Sequence, residues 1–146
     1  MTKLSEKYRI KNKTLSEVSA ALFDLNKFPK SFAKTFEISG VETTTKLEVG
    51  AKASLTLKKF GVSAYSEYVV TELSIEKLTY KQTCGLMKKW IHTMTLREAN
   101  NGVIEVVDDI SYEVPCGLLG HLANDLFLRS EVPNMLYHRL KSLKLK

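Results

Sequence analysis

His92 is the polar residue whose surroundings could do the most chemistry. Apolar and polar positions alternate along Lys89–Leu96, so Trp90, His92, Met94 and Leu96 share one face of a strand. Imidazole titrates near neutrality, so a histidine among apolar neighbours can act as a general base or hold a ligand by a hydrogen bond. It can equally be a core side chain satisfied by a neighbour. Asn100-Asn101-Gly102 reads as a three-residue hairpin loop, with Gly102 able to take the left-handed position. Val103–Tyr112 then returns antiparallel and paired positions sum to 202. Trp90 faces Tyr112, His92 faces Ile110, Met94 faces Asp108, and Leu96 faces Val106. A two-residue loop would set Met94 against Asp109 and turn Tyr112, Ile110 and Val106 to the other face. A one-residue slip flips every side chain, so matching of the apolar faces selects the first register. In that register Asp108 lies diagonally from His92, within side-chain reach. A buried carboxylate needs a partner, and His92, Arg129 or Arg139 could supply one. The pair is then either a proton-transfer dyad or a tie that fixes a sheet against a helix.

Tyr80, Trp90, Met94, Tyr112, Leu122 and Leu126 are candidates to line an apolar pocket with a polar handle. Plain core packing is the other reading of each. His92, His121 and His138 lack the spacing of a metal-binding pair, and Cys84 and Cys116 form no CxxC, so no metal site is expected. No phosphate-binding glycine loop, G-x-S-x-G or dinucleotide fingerprint occurs, and no cofactor is expected.

The elements that must position these residues are legible in the pattern. Lys3–Lys13 alternates, with Leu4, Tyr8 and Ile10 on one side and only Glu6 spoiling it. Thr14 and Glu17 have capping-box spacing ahead of Leu15, Val18, Leu22 and Leu25, which predicts a helix over Leu15–Leu25. Lys30–Lys34, after Pro29, reads as a second short helix. Strands are expected at Phe36–Thr44, Lys52–Lys58, Ala64–Leu73 and Lys77–Thr83, punctuated by Gly40, Gly50, Gly61 and Gly85. After Pro115 and Gly117 the pattern turns helical from Leu118, with Leu119, Leu122, Leu126, Leu136, Leu140 and Leu143 on a three–four spacing. Arg129 and Pro133 interrupt that stripe, and Pro133 predicts a kink or a restart that Ser130 could cap. Helices segregated from one antiparallel run make an α+β domain spanning 1–146.

The chain has 146 residues, 44% of them hydrophobic, and needs neither disulfides nor metal to build a core. Met1–Lys13 has no apolar run of the kind a secretory signal carries, so two reduced cysteines in a cytoplasmic protein are expected. The formal charge of +6 is spread over small clusters such as Lys58-Lys59 and Lys88-Lys89. It fits a generally basic surface, with weak contact to an anionic membrane as one use and no DNA partner expected.

A wider pattern runs through the second half. Trp90-x-His92 is followed by Asp108-x-Ile110-x-Tyr112, then Pro115-x-Gly117-x-Leu119-Gly120, then Tyr137-x-Arg139. In order and spacing this resembles the bacterial SRPBCC proteins of the polyketide cyclase/dehydrase-like group, within the START-like, helix-grip superfamily. Two departures are Gly85-Leu86-Met87, where many relatives carry Gly-Pro-Phe, and Pro133 in the terminal helix. The resemblance implies a curved six- or seven-stranded antiparallel sheet wrapped around a long C-terminal helix, with one or two short helices after the first strand. It also implies an internal apolar cavity of some hundreds of Å³, which Trp90, His92, Met94, Asp108, Tyr112, Tyr80, Leu122 and Leu126 would line. A small hydrophobic partner, such as a lipid, quinone or polyketide-like molecule, follows from it. A non-enzymatic binder or carrier leads; a cyclase/dehydratase-type enzyme using His92 and Asp108 is the alternative.

Overall fold

The computed structural model describes residues 2–27, 37–44, 46–59, 62–85, 87–114, 129–142 and 145. Strand β1 (Thr2–Lys11) follows its alternating sequence, burying Tyr8 and Ile10 and partly burying Leu4 while Lys3, Lys7, Arg9 and Lys11 face out. It stops at Asn12, whose φ of 62° is a left-handed conformation that asparagine tolerates. Helix α1 (Leu15–Leu22) opens on the capping box. The Thr14 hydroxyl accepts from the Glu17 N–H at 3.1 Å, and the Glu17 carboxylate accepts from the Thr14 N–H at 3.2 Å. The helix ends at Leu22 rather than Leu25. Phe23 closes it on the Ser19 carbonyl, and the Asp24 side chain then takes the Asn26 N–H at 2.9 Å, a local bond that competes with a further helical turn.

Six strands follow: β2 (Glu37–Thr43), β3 (Lys52–Lys59), β4 (Val62–Leu73), β5 (Lys77–Cys84), β6 (Lys89–Ala99) and β7 (Val103–Glu113). They form a meander that β1 completes by pairing with β7, giving the antiparallel order β1-β7-β6-β5-β4-β3-β2. Register shifts between Ser39 and Glu42 and between Val70 and Glu72 bend the sheet. The β6–β7 register is the one the apolar faces select, from Lys89 opposite Glu113 to Ala99 opposite Val103. Pairing continues to the loop, so β6 runs past Leu96, and Gly102 takes φ 67° to close the turn. Gly85, after β5, packs its backbone against the Gln82 side chain, and an added Cβ would also come within 2.8 Å of Ser66 Oγ.

One face of the sheet is mainly apolar. Ile104, Val106, Ile110 and Tyr112 of β7, Trp90, Met94 and Leu96 of β6, Leu78 and Tyr80 of β5, and Leu55 and Leu57 of β3 are all buried. Helix α2 (Arg129–Ser142) adds Val132, Met135, Leu136 and Leu140 to the same core. Residues Leu118–Leu128, Leu143 and Lys30–Lys34, with their expected helix positions, lie outside the described residues. The backbone is helical from Arg129 to Ser142 with Pro133 inside it, so no break falls between Arg129 and Pro133, and the residues before Arg129 lie outside the described ones. The proline withholds one N–H from the Arg129 carbonyl, a local cost that the burial of Val132, Met135 and Leu136 offsets. Among the described residues no helix is long and apolar enough to cross a membrane.

Leu136 and Leu140 are 1% and 0% exposed. Replacing either with alanine is expected to cost about 2–5 kcal/mol in urea denaturation. Tyr137, on the outer side of the same helix, should tolerate alanine within about 0.5 kcal/mol. Equal, small losses at all three would mean that this helix does not carry the core.

Candidate functional site

Cross-strand pairing builds a diagonal of polar groups across the inner face. Tyr80 of β5 stands opposite His92 of β6, and Met94 of β6 stands opposite Asp108 of β7. His92 Nδ1 lies 2.9 Å from the Tyr80 hydroxyl, and His92 Nε2 lies 2.7 Å from Asp108 Oδ1. Helix α2 completes the row. Arg139 Nη2 donates to Asp108 Oδ2 at 2.8 Å, and Nη1 donates to the Met94 sulfur at 3.2 Å. All four polar residues are buried, with Asp108 fully so. Of the partners open to Asp108 from sequence, two are used at once: His92 and Arg139.

The electrostatics assign the protons. Burial by itself pushes the Asp108 carboxyl up, but the Arg139 charge beside it, and then the His92 hydrogen bond, hold it below the usual carboxylate range. An ionised carboxylate only accepts, so His92 Nε2 carries the hydrogen. Burial pushes the His92 pKa down, and Asp108 does not fully restore it, so the ring is neutral at pH 7 and Nδ1 is bare. The Tyr80 hydroxyl therefore donates to Nδ1. Burial also holds the Tyr80 hydroxyl well above its usual pKa, in its protonated form. The donors run in one direction, from Tyr80 to His92 to Asp108, with Arg139 donating from the far side.

Tyr80, His92, Met94 and Arg139 form the inner end of a cleft between α1 and the sheet. Its other walls are mainly apolar: Leu22, Phe23 and Leu25, with Tyr68, Val70 and Leu78 from β4 and β5. Ala21 on one side and Ala51 and Ala53 on the other leave the space that larger side chains would fill. The cleft holds about 550 Å³ including its solvent-open mouth, but only about 30 Å³ of it takes the centres of water-sized molecules. That is room for one or two waters in this cleft; the expected interior pocket of some hundreds of Å³ would also be bounded by Leu122 and Leu126, which lie outside the described residues. Tyr68, Tyr80 and Met94 are buried along the walls of the cleft.

The residues singled out from sequence are distributed as follows. Tyr80, His92 and Met94 line this cleft, and Asp108 sits behind His92. Trp90 and Tyr112 are buried beside one another, ring centroids 5.9 Å apart, outside its walls. Leu122 and Leu126 lie outside the described residues. Sequence reasoning missed the Tyr80–His92 bond and the contribution of α1. The β5–β6 pairing would have exposed the first, but no short loop fixes that register as Asn100–Gly102 fixes its neighbour. Among the described residues no three His, Cys, Asp or Glu side chains are placed to hold a metal.

With this geometry in hand, solved structures provide the comparison. The protein TTHA0849 of Thermus thermophilus superposes with a TM-score of 0.75 at 14% identity, covering 97% of this chain and 94% of that one. A START superfamily protein from Mycobacterium smegmatis gives 0.72 at 14% identity, over 96% and 94%. This chain has the START-like, helix-grip fold. The di-domain ARO/CYC StfQ of the steffimycin biosynthetic pathway gives 0.72 at 12% identity, with this chain spanning 97% of itself and 49% of that protein. No protein-family model and no curated protein sequence matches the chain. At such identities the START-like likeness speaks for the fold, and the chemistry has to come from the site.

The charge state has a consequence for stability. The unfolded chain binds a proton at His92 near the ordinary value of 6.5, whereas the folded chain resists it. Stability is therefore expected to fall as pH drops through about 6.5. Asp108, ionised in the fold below its ordinary 3.8, adds a second loss of the same sign at lower pH. His92→Gln should remove the first step from a plot of denaturation midpoint against pH and keep the second. Arg139→Leu strands a buried carboxylate and should cost about 3–5 kcal/mol. A wild-type midpoint that stays flat from neutrality to pH 5 would contradict the assignment of a neutral His92.

Proposed function

We propose that this protein binds or carries a small, mainly apolar molecule, held between α1 and the concave face of the sheet with its polar end toward Tyr80 and His92. The observation that carries this reading is the cleft itself: apolar walls closed at one end by hydrogen-bonding groups, the usual composition of a small-molecule site. The START-like fold agrees with it at the level of architecture. Because the deep part of the cleft is narrow, entry of a ligand requires its walls to move apart. His92, Met94 and Tyr80 would touch the ligand, and Asp108 would hold His92 in place. Trp90 and Tyr112 would back the polar end, and Leu122 and Leu126, outside the described residues, are kept as further ligand contacts of the proposal. The proposed setting is the cytoplasm, where the exposed Cys84 thiol stays reduced. The charge of +6 suits weak contact with an anionic membrane surface.

A second reading has one specific observation behind it. The unbroken chain from Tyr80 through neutral His92 to ionised Asp108 could relay a proton. That fits a cyclase- or dehydratase-type enzyme acting on a hydrophobic substrate in the same cleft.

The neutral dye N-phenylnaphthylamine tests the binding reading. It should bind saturably, and the fluorescence of Trp90, the single tryptophan, should change with it. Ala53→Leu fills the cleft and should abolish binding while the protein stays folded. Dye binding that survives Ala53→Leu at full affinity would take the cleft out of the proposal.

A further inference from the structure

The alternation of β1 turns Lys3, Lys7, Arg9 and Lys11 to solvent on the outer face of the sheet, the side away from the cleft. Strand β1 stands at the end of the sheet order, so the four cations run along one margin of that face. Register extends the charge inward. Arg9 of β1 and Arg97 of β6 both stand opposite Glu105 of β7, and Lys89 of β6 closes the other end of the three strands. Against these six cations the outward positions of β1, β7 and β6 hold three carboxylates, Glu105, Asp109 and Glu113. Two of the three are already paired. Glu105, 6% exposed, takes Arg97 at 3.1 Å and Lys7 at 3.7 Å, and Glu113 takes Lys88 at 3.1 Å. Among the described residues Lys3, Arg9 and Lys11 have no ion-pair partner.

We propose that the outer face of β1, β7 and β6 is where this protein meets an anionic lipid bilayer, with Lys3, Lys7, Arg9 and Lys11 lying along the headgroups. The inference rests on the membrane contact read above from the net charge and assigns it to one face. Alternate residues of a strand are about 7 Å apart, closer than the screening length of about 8 Å at physiological salt. The row therefore acts as one field, and acidic lipids answer a field without needing a pocket or an apolar core. Other occupants fit the face less well. A protein partner asks for a buried apolar centre, and Ile91 is the one exposed large apolar side chain at the outward positions described. Single-stranded nucleic acid asks for aromatic platforms, and those positions hold no aromatic residue. Lysines along an edge strand deter pairing with a second copy. Because the cleft lies on the other side of the sheet, docking here tethers the protein and leaves the cleft clear.

Co-sedimentation with vesicles of mixed phosphatidylserine and phosphatidylcholine tests the proposal, with phosphatidylcholine alone as the neutral probe. The protein is expected to bind the acidic vesicles, to ignore the neutral ones and to be released by salt. Arg9→Gln and Lys11→Gln leave the Glu105 pairs intact, and each should weaken binding about fivefold. Lys3→Gln, Lys7→Gln, Arg9→Gln and Lys11→Gln combined should abolish it, with the denaturation midpoint reporting that the chain is still folded. The matched control changes four exposed lysines elsewhere, Lys46, Lys52, Lys58 and Lys141, to glutamine and should keep most of the binding. An equal loss in the control, or no loss with Arg9→Gln and Lys11→Gln, would overturn the assignment to this face and leave a membrane contact through net charge. Binding to neither vesicle, or equally to both, would remove the anionic membrane contact itself. Tighter binding to a single-stranded oligonucleotide than to the acidic vesicles would overturn the bilayer as occupant. Dye binding in the cleft is independent of each of these results.

Discussion

A fully buried carboxylate is the constraint on which the rest of this molecule turns. Asp108 has no contact with water, and an unpartnered charge there would be prohibitive. It is tolerated because Arg139 and His92 both donate to it, and each comes from a different element. The requirement fixes α2 against β6 and β7 at one point along its length, since Arg139 reaches Asp108 and the Met94 sulfur together. Buried pairs of this kind add little net stability over an apolar core, but losing one partner is severe. What the pair contributes here is position: one helix register over the sheet, and one tautomer of His92.

That tautomer links architecture to chemistry. With Nε2–H bound to the carboxylate, the imidazole has one way left to interact, through bare Nδ1, and Tyr80 fills it. A charge placed on the terminal helix therefore sets the hydrogen-bonding character of a phenol two strands away, at the end of the cleft. The relay is rigid because all its members are buried and paired across adjacent strands. The cleft in front of it owes its existence to something plainer. Ala21, Ala51 and Ala53 are too small to meet across the gap between α1 and the sheet. Larger residues around them keep that gap narrow.

The START-like fold carries this arrangement without dictating its use. StfQ is an ARO/CYC protein and the Mycobacterium smegmatis protein belongs to the START superfamily, yet both superpose on this chain at 14% identity or less. A bent sheet gripping a helix supplies a hollow, and the side chains at its end decide what the hollow does.

Much of this was determined by local sequence. The alternation of β1 and β6, the capping box at Thr14 and Glu17, and the three-residue loop at Asn100–Gly102 act over a few residues. The last of these fixed the β6–β7 register, and with it the approach of His92 to Asp108. The meeting of Tyr80 with His92, the approach of Arg139 to Asp108 and the early end of α1 after Leu22 were decided by tertiary structure. The reason is the range of the interactions. A hairpin register follows from loop length and side-chain parity, both written in adjacent residues. Which cation reaches a buried carboxylate, and how much space three alanines leave, depend on side chains that the chain brings together only when it is folded.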